Sequence, residues 1–184
     1  MREKESSFMS EPMKNIYIII RESLKEELRH MAIPQTGASV IATNVSGEIL
    51  LVKKANGNKW VLPGGVQELG EDFKKVAKRE LLEETGIEYD ENNLVLIDIV
   101  TGEGRHKKYP NGDEVYNNSV LYWAPNIADK KVDITGVDYA DNGDGTYKIV
   151  QESLDYCWFD ANNLPSVVDD IDLIKVYLNW LEQK

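Results

Sequence analysis

The sequence is poor in the residues that build disulfides, thiolate metal sites or membrane spans. Cys157 is the only cysteine among 184 residues, which excludes an internal disulfide and a thiolate cluster. Its aromatic neighbours predict a packed, unreactive thiol. The aliphatic run Ile18-Ile19-Ile20 is far too short to cross a bilayer, and the charged residues 1–5 are not followed by a signal-peptide apolar segment. We therefore expect a cytoplasmic protein with no membrane partner.

Positive charge is also scarce. The chain has 21 lysines and arginines against 32 aspartates and glutamates, which gives a formal net charge of -11. A protein that holds long nucleic acid by its phosphates needs the opposite sign, so we expect no such partner. A small phosphorylated substrate is compatible with this charge if a cation lies between the two negative groups. The 42% of hydrophobic and 29% of charged residues are typical of a globular domain.

Residues 1–33 are predicted to form a tail and an amphipathic helix outside the main domain. Ile16, Ile20, Leu24 and Leu28 recur at helical spacing between about residues 15 and 31. The polar side of this helix carries both signs of charge, which favours docking on the domain or on a second copy over binding to a membrane surface. A homodimer is therefore one expected assembly. Residues 34–184 are predicted to form one domain.

The rest of the chain alternates between strand and helix patterns. Apolar runs predict strands at 38–42, 49–52, 60–62, 94–100, 115–123 and 155–159, and helices at about 72–85 and 167–181. Residues 44–47 predict a hairpin between the first two strands, and residues 109–112 a turn between the fourth and fifth. Residues 141–145 resemble part of a calcium loop, but Gly143 stands where an oxygen ligand is required, so a surface turn is predicted instead. This order predicts an α/β fold, a mixed β-sheet covered by helices on both faces.

The helix at 72–85 carries an unusual stripe. At about 100° per residue, Phe73 and Val76 lie on an inward stripe that continues into Glu80, Glu83 and Glu84. Like charges at these spacings repel each other, and burial next to apolar residues amplifies the cost. One arginine cannot neutralise three acids, whereas hard oxygen ligands in this number suit Mg²⁺, with Mn²⁺ as an alternative. The competing interpretation is a solvated acidic helix end, which the apolar residues on the same stripe disfavour.

Glycines flank this helix on both sides. Gly64 and Gly65 follow the strand at 60–62 and predict a backbone able to approach a ligand closely. Gly86 is placed as a left-handed cap at the end of the helix, followed by the apolar Ile87. A strand, a glycine loop, a helix and its stop are therefore all specified within about 30 residues.

These residues fill every fixed position of the Nudix box, which runs from Gly65 to Ile87: Gly65, Glu71, Arg79, Glu80, Leu81, Glu83, Glu84, Gly86 and Ile87. The chain thus resembles the Nudix hydrolase superfamily and its MutT-like members. The order of strands and the closing helix are similar to that domain from about residue 37 to residue 181. The resemblance implies an αβα sandwich, with the N-terminal helix as an addition, and hydrolysis of a diphosphate bond in a nucleotide or in a nucleoside diphosphate linked to another group.

The resemblance also implies roles for individual residues. Glu83 and Glu84 match the main metal ligands, helped by Glu80 and the main-chain carbonyl of Gly64. The general base is either Glu80 or Glu152, with Glu114 as a weaker alternative. Arg79 and Glu71 match a pair that orients the acids, while Gly65 and Gly86 have structural roles. The implied chemistry is attack by metal-activated water on phosphorus, with a carboxylate accepting the proton.

Substrate contacts are less specified. The basic run from Arg105 to Lys108, with Tyr109 and Glu114, is a candidate phosphate-binding segment; Arg105 and Lys107 are its strongest members. The same charges could instead protect an exposed strand edge. Strand aromatics such as Tyr116 and Trp158 are predicted to pack rather than to stack a base.

The substrate class follows from an absence. No proline or tyrosine lies between residues 90 and 108, which weakens similarity to the ADP-ribose and dinucleoside-polyphosphate branches and favours a nucleoside triphosphate, including an oxidised one. The alternative of another class is a Nudix-like domain that binds a nucleotide and regulates a partner without cleaving it. Degraded box glutamates would favour that alternative, and none is degraded.

Overall fold

The computed structural model describes residues 31–55, 58–108, 112, 114–127, 132–134, 136–141 and 147–184. The predicted N-terminal helix and most of the turns at 109–112 and 141–145 lie outside these residues. The chain divides into two compact units. Of the described residues, the smaller contains those within 31–34 and 102–117, and the larger contains those within 35–101 and 118–184.

The described elements follow one another along the chain. The strands are β1 Ile33–Ala42, β2 Ile49–Lys54, β3 Trp60–Val61, β4 Gly64–Val66, β5 Val95–Val100, β6 His106–Lys108, β7 Glu114–Ala124, β8 Val137–Asp141, β9 Tyr147–Gln151 and β10 Ser153–Phe159. The α-helices are α1 Phe73–Thr85 and α2 Ile171–Glu182. Short 3-10 turns lie at Glu91–Asn93 and Glu103–Arg105.

In the larger unit, one sheet has the strand order β4-β1-β7-β5 and a second has the order β10-β2-β3. β4 and β5 each run antiparallel to their neighbour. The Ser39 hydroxyl lies 2.8 Å from that of Ser119, and the Thr43 N–H donates to the Ala124 carbonyl. The residue numbers of both partners rise together from the first contact to the second, so β1 and β7 are parallel. The predicted mixed sheet is confirmed.

The sheet residues alternate between two apolar cores. Val40, Leu50 and Tyr122 pack with α1, whereas the adjacent residues Ile41, Leu51 and Leu121 pack with α2. Successive side chains of a strand point to opposite faces, so one run of apolar residues supplies both cores. This is the predicted arrangement of helices on both faces of the sheet, and the αβα fold class is confirmed.

The turn at residues 44–47 differs from its prediction. The turn forms, with the Gly47 N–H donating to the Asn44 carbonyl and a single bridge between Thr43 and Ile49. However, β1 and β2 belong to different sheets and do not form a hairpin ladder. Instead, β1 lies between β4 and β7, and β2 lies between β10 and β3.

Three further elements differ from the sequence predictions. The glycine loop at 64–65 is itself a strand, because β4 pairs with β1. The last helix begins at Ile171 rather than at residue 167, because residues 167–169 exchange backbone hydrogen bonds with Trp60. The ladder between β8 and β9 was not predicted; it flanks the predicted turn at 141–145.

Both ends of α1 lie where the sequence predicts. The Asp72 carboxylate caps the first turn by accepting from the Lys75 N–H at 3.1 Å. Gly86 has φ 66° and ψ 7°, and its N–H donates to the Leu82 carbonyl. A Cβ on Gly86 would lie 2.8 Å from that of Asp133, so the position requires glycine for space as well as for conformation.

The described part of the smaller unit contains β6 and the first residues of β7, paired antiparallel from His106 opposite Tyr116 to Lys108 opposite Glu114. All three β6 residues are exposed. No helix among the described residues of the chain is long and apolar enough to cross a bilayer.

Replacing Gly86 with alanine is expected to lower the free energy of unfolding by about 2–3 kcal/mol, because it adds left-handed strain and a clash with Asp133. Gly47→Ala is the matched control, since Gly47 has φ 82° with open space around its Cβ position. It should cost about 1 kcal/mol, from the strain alone. Urea unfolding measures both, and equal losses would contradict the role of the Asp133 contact.

Candidate active site

Arg79 connects three of the box glutamates. Its Nε and Nη2 atoms donate to the two carboxylate oxygens of Glu71, each at 2.9 Å, and its Nη1 donates to Glu80 at 2.6 Å and to Glu83 at 3.1 Å. Nη2 also donates to the Val66 carbonyl of β4. The bidentate pair lowers the pKa of Glu71, and its partners raise the pKa of Arg79 above its ordinary value. The guanidinium thus ties the helix to β4 and to the loop before the helix.

Glu80 lies in a hollow that depends on Gly65. A Cβ on Gly65 would lie 2.3–2.7 Å from the carboxylate atoms of Glu80, closer than any real contact. The Glu80 side chain is 13% exposed. Burial raises the pKa of Glu80, against the opposing effect of Arg79. A side chain at position 65 would move the Glu80 carboxylate, so the glycine leaves it room to stay where Arg79 binds it.

Glu84 is the most deeply placed of the three helix acids. It is 3% exposed, and its Oε1 accepts from the Lys54 ammonium at 2.5 Å. No donor in the described chain reaches its Oε2, which is fully buried. Burial raises the pKa of Glu84 to about 8, and Lys54 opposes that change. This contradicts a solvated acidic helix end for Glu84.

Glu152 meets the same ammonium from another element. It lies between β9 and β10, and its Oε1 accepts from Lys54 at 2.6 Å. Its N–H donates to the Gly136 carbonyl at 3.1 Å. A Cβ on Gly136 would lie 2.9 Å from the Glu83 carbonyl oxygen and 3.7 Å from Glu152 Oε2. Gly136 therefore lets the segment before β8 approach the end of α1 beside Glu152.

Glu83 differs from the other two helix acids. Its side chain is 56% exposed and touches Arg79 alone among the described cations. The prediction that all three acids turn inward is therefore wrong for Glu83. The reason is the helical rotation: Leu81 and Glu84 take the buried positions of the last turn, and Glu83 lies at their edge.

Gly64, whose carbonyl is the predicted fourth metal ligand, lies in β4 opposite Ser39 of β1.

The acids do not form a preassembled cage. Across the described ranges, no three His, Cys, Asp or Glu side chains are arranged to hold a metal ion. Their oxygens point instead at two cations: Glu71, Glu80 and Glu83 at Arg79, and Glu84 and Glu152 at Lys54. The donor set still fits a divalent cation, because it consists of carboxylates and includes the unpartnered buried oxygen of Glu84.

The predicted substrate residues that are described lie in the smaller unit. Glu114 accepts from His106 at 3.0 Å and from Lys108 at 2.7 Å, and both contacts lower the pKa of Glu114. Arg105 Nε donates to the Asn117 carbonyl. Lys107 is exposed on β6, as expected of a strand edge, and Tyr109 lies outside the described residues. The role of these residues in substrate binding stays a prediction.

Sequence reasoning missed Lys54 and Gly136. A signal for Lys54 was present, because Leu50, Val52 and Lys54 alternate along β2 and share the face that carries α1. Gly136 had no signal: residues 132–136 contain no motif, and their docking at the end of α1, where the Asp133 N–H donates to the Thr85 carbonyl, is a tertiary contact.

The comparison with family models identifies the domain. Residues 33–177 match the model described as NUDIX domain, and the chain belongs to this family.

The individual relatives match shorter stretches or the fold alone. A Bacillus subtilis (strain 168) protein named "Putative 8-oxo-dGTP diphosphatase" is 52% identical over 50 residues, which cover 27% of this chain and 34% of that protein. The matched stretches span 28% to 49% of the curated relatives' own lengths.

Two solved structures share the fold. The NUDIX domain of Shewanella oneidensis NrtR, complexed with ADP ribose, has a TM-score of 0.56 at 19% identity and covers 80% of this chain and 88% of its own. A bifunctional NMN adenylyltransferase/ADP ribose pyrophosphatase from Francisella tularensis, complexed with AMP and a Mn ion, has a TM-score of 0.50 at 18% identity. The match covers 92% of this chain and 47% of the Francisella chain.

Replacing Arg79 with lysine is expected to lower the free energy of unfolding by about 2 kcal/mol, because one ammonium cannot make the bidentate contact with Glu71 while reaching Glu80. Lys75→Met is the control, since it breaks the ion pair with Asp72, in which both side chains are 59% exposed. That loss should be negligible, because water screens an exposed ion pair. Chemical denaturation measures both; a tolerated Arg79→Lys would show that the network is not needed for stability.

Proposed function

We propose that this protein hydrolyses a diphosphate bond in a small nucleotide, with Mg²⁺ or Mn²⁺ held by Glu80, Glu83, Glu84 and the Gly64 carbonyl. The observation that carries the proposal is the buried carboxylate of Glu84, whose Oε2 has no partner in the described chain. An unpaired buried carboxylate oxygen is costly, and a divalent cation would satisfy it. Membership of the NUDIX domain family and the Mn ion bound to the Francisella protein support the metal.

The substrate that we propose is a nucleoside triphosphate, including an oxidised one such as 8-oxo-dGTP. The Bacillus subtilis relative supports this class, as does the absence of proline and tyrosine between residues 90 and 108. The ADP ribose bound to the Shewanella domain reflects a likeness of fold, so ADP-ribose belongs in the panel that tests the proposal. The cytoplasmic location, the homodimer and the lack of a long nucleic acid partner stay predictions.

Residues of the chain would have separate roles in the reaction. A bound divalent cation would supply positive charge to the diphosphate oxygens and acidify a nearby water. Arg79 holds the carboxylates of Glu80 and Glu83 in place for that cation. Glu152 is the general base that we favour, because it is 30% exposed and lies on a different element from the helix acids. Glu152 would accept the proton of the attacking water at a carboxylate oxygen while the water oxygen bonds to one phosphorus of the diphosphate. The bridging P–O bond would break, and the other phosphate would leave with the bridging oxygen.

Replacing Glu84 with glutamine is expected to lower Mg²⁺-dependent turnover by about a thousandfold or more, because it removes charge without changing shape. Glu83→Gln should act in the same direction. Glu182→Gln is the control, since Glu182 is an exposed residue at the end of α2. The assay is phosphate or pyrophosphate release from a panel of nucleotides, with products weighed by mass spectrometry and EDTA as the metal-free arm.

Full turnover in both box variants would overturn the assignment of the metal ligands. Binding of a nucleotide by the wild type, with no product from any member of the panel, would instead favour the regulatory domain that binds without cleaving.

Replacing Glu152 with glutamine is expected to lower kcat by about 10²–10⁴-fold with little change in KM, as for loss of a general base. Glu80 and Glu152 are each paired with a cation at 2.6 Å, but the competing base Glu80 is less exposed, at 13% against 30%. Steady-state kinetics with the best substrate of the panel compare the two variants. If Glu152→Gln were fully active while Glu80→Gln lost kcat alone, Glu80 would be the base.

A further inference from the structure

Lys54 contacts two of the site's acids, although the proposed hydrolysis assigns it no role. It is the last residue of β2, and its Cα is paired with that of Ser153, the neighbour of Glu152. Its ammonium lies 2.5 Å from Glu84 Oε1 and 2.6 Å from Glu152 Oε1. One side chain thus bridges the most buried acid of the helix and the acid that we favour as base.

The ammonium takes one of the two carboxylate oxygens of Glu84 and leaves Oε2 open to a divalent cation. A divalent cation that also bound Oε1 would lie about 2.0–2.6 Å from it, within the space that the ammonium fills. A cation at Oε2 alone would still lie within a few ångströms of the lysine charge, where repulsion is strong. The ammonium therefore opposes a divalent cation at either oxygen of Glu84.

The surroundings allow such an exchange. The Lys54 side chain is 20% exposed, so its ammonium has a route towards water on a flexible four-carbon stem. Glu84 is fixed by burial, at 2% side-chain exposure, and cannot follow the lysine. Metal entry would therefore move the lysine and leave the carboxylate in place.

We infer that Lys54 is a built-in counter-cation, which pairs with Glu84 and Glu152 when no metal is bound and weakens the binding of a divalent cation at Glu84 by charge repulsion. This inference rests on the proposed function, because it assumes that Glu84 binds metal. It assigns Lys54 the role of a positioning residue that sets metal affinity. It also predicts two opposite effects of losing the lysine: weaker metal-free folding and tighter metal binding.

Lys54→Met tests the inference, with Lys53→Met as the matched control. Lys53 is the adjacent residue of the same strand, and its ammonium lies 5.8 Å from the ring centroid of Trp60, on the opposite face of β2. Both variants change the net charge equally. Free Mn²⁺ measured by electron paramagnetic resonance gives affinity, and the Tm of the metal-free protein gives stability.

Lys54→Met is expected to bind Mn²⁺ at least about tenfold more tightly than the wild type, since a competing positive charge is removed. Its metal-free Tm should fall, and added Mn²⁺ should raise the Tm more than in the wild type. Lys53→Met should match the wild type in both measurements. Lys54→Arg, which keeps the charge, should not tighten Mn²⁺ binding.

Two results would overturn the inference, and they have different meanings. If the wild type bound Mn²⁺ and lost it in Glu84→Gln, while Lys54→Met bound it no more tightly, Lys54 would not compete and the proposed metal site would stand. If neither the wild type nor Lys54→Met bound Mn²⁺, the metal site would fail and the inference with it.

Discussion

The burial of one carboxylate, that of Glu84, shapes most of the site. The helix stripe that carries Val76 and Ala77 into the core continues into an acid that is 3% exposed. Such a group is tolerated only with partners, and burial shifts its pKa upwards accordingly. Lys54 supplies one partner, and one oxygen remains without any in the described chain. That unpartnered oxygen is costly to the fold, and it is also the atom that we propose binds the metal.

The acids are divided between two cations on separate elements. Arg79 of the helix contacts Glu71, Glu80 and Glu83, and Lys54 of the sheet contacts Glu84 and Glu152. If all five carboxylates are ionised, the two cations leave three negative charges in a partly buried volume, and the raised pKa values of Glu80 and Glu84 reflect the cost of that state. Like charges at this distance repel strongly, so the cluster favours further positive charge. This local excess gives a physical reason why an acidic protein would use a divalent cation to accept an anionic nucleotide.

Much of this arrangement was predictable from the sequence. The rest was not predictable, for reasons that can be identified. The extent of α1, its cap at Gly86 and the inward direction of Glu84 follow from helical periodicity and local conformation. The prediction that Glu83 points inward was wrong because Glu83 lies at the edge of the apolar stripe. Angular position on the helix alone does not show whether an edge residue is buried or exposed. The separation of β1 and β2 into two sheets, and the docking of Gly136 on α1, depend on pairings between distant segments. Local patterns carry no information about such pairings.

The glycines around the site are explained by close approach more than by flexibility. At Gly37 a Cβ would lie 2.0 Å from the Gly65 carbonyl oxygen, and at Gly64 it would lie 2.5 Å from that of Ala38. These contacts draw β4 tightly against β1. Gly65 then leaves room for the Glu80 carboxylate, and Gly136 brings the backbone against the end of α1 near Glu152. The glycines therefore permit short distances between carboxylates on different elements, because a Cβ at these positions would meet the neighbouring backbone or carboxylate. The β1–β4 ladder and the ion pairs of Arg79 and Lys54 then hold those elements together against the repulsion between the acids.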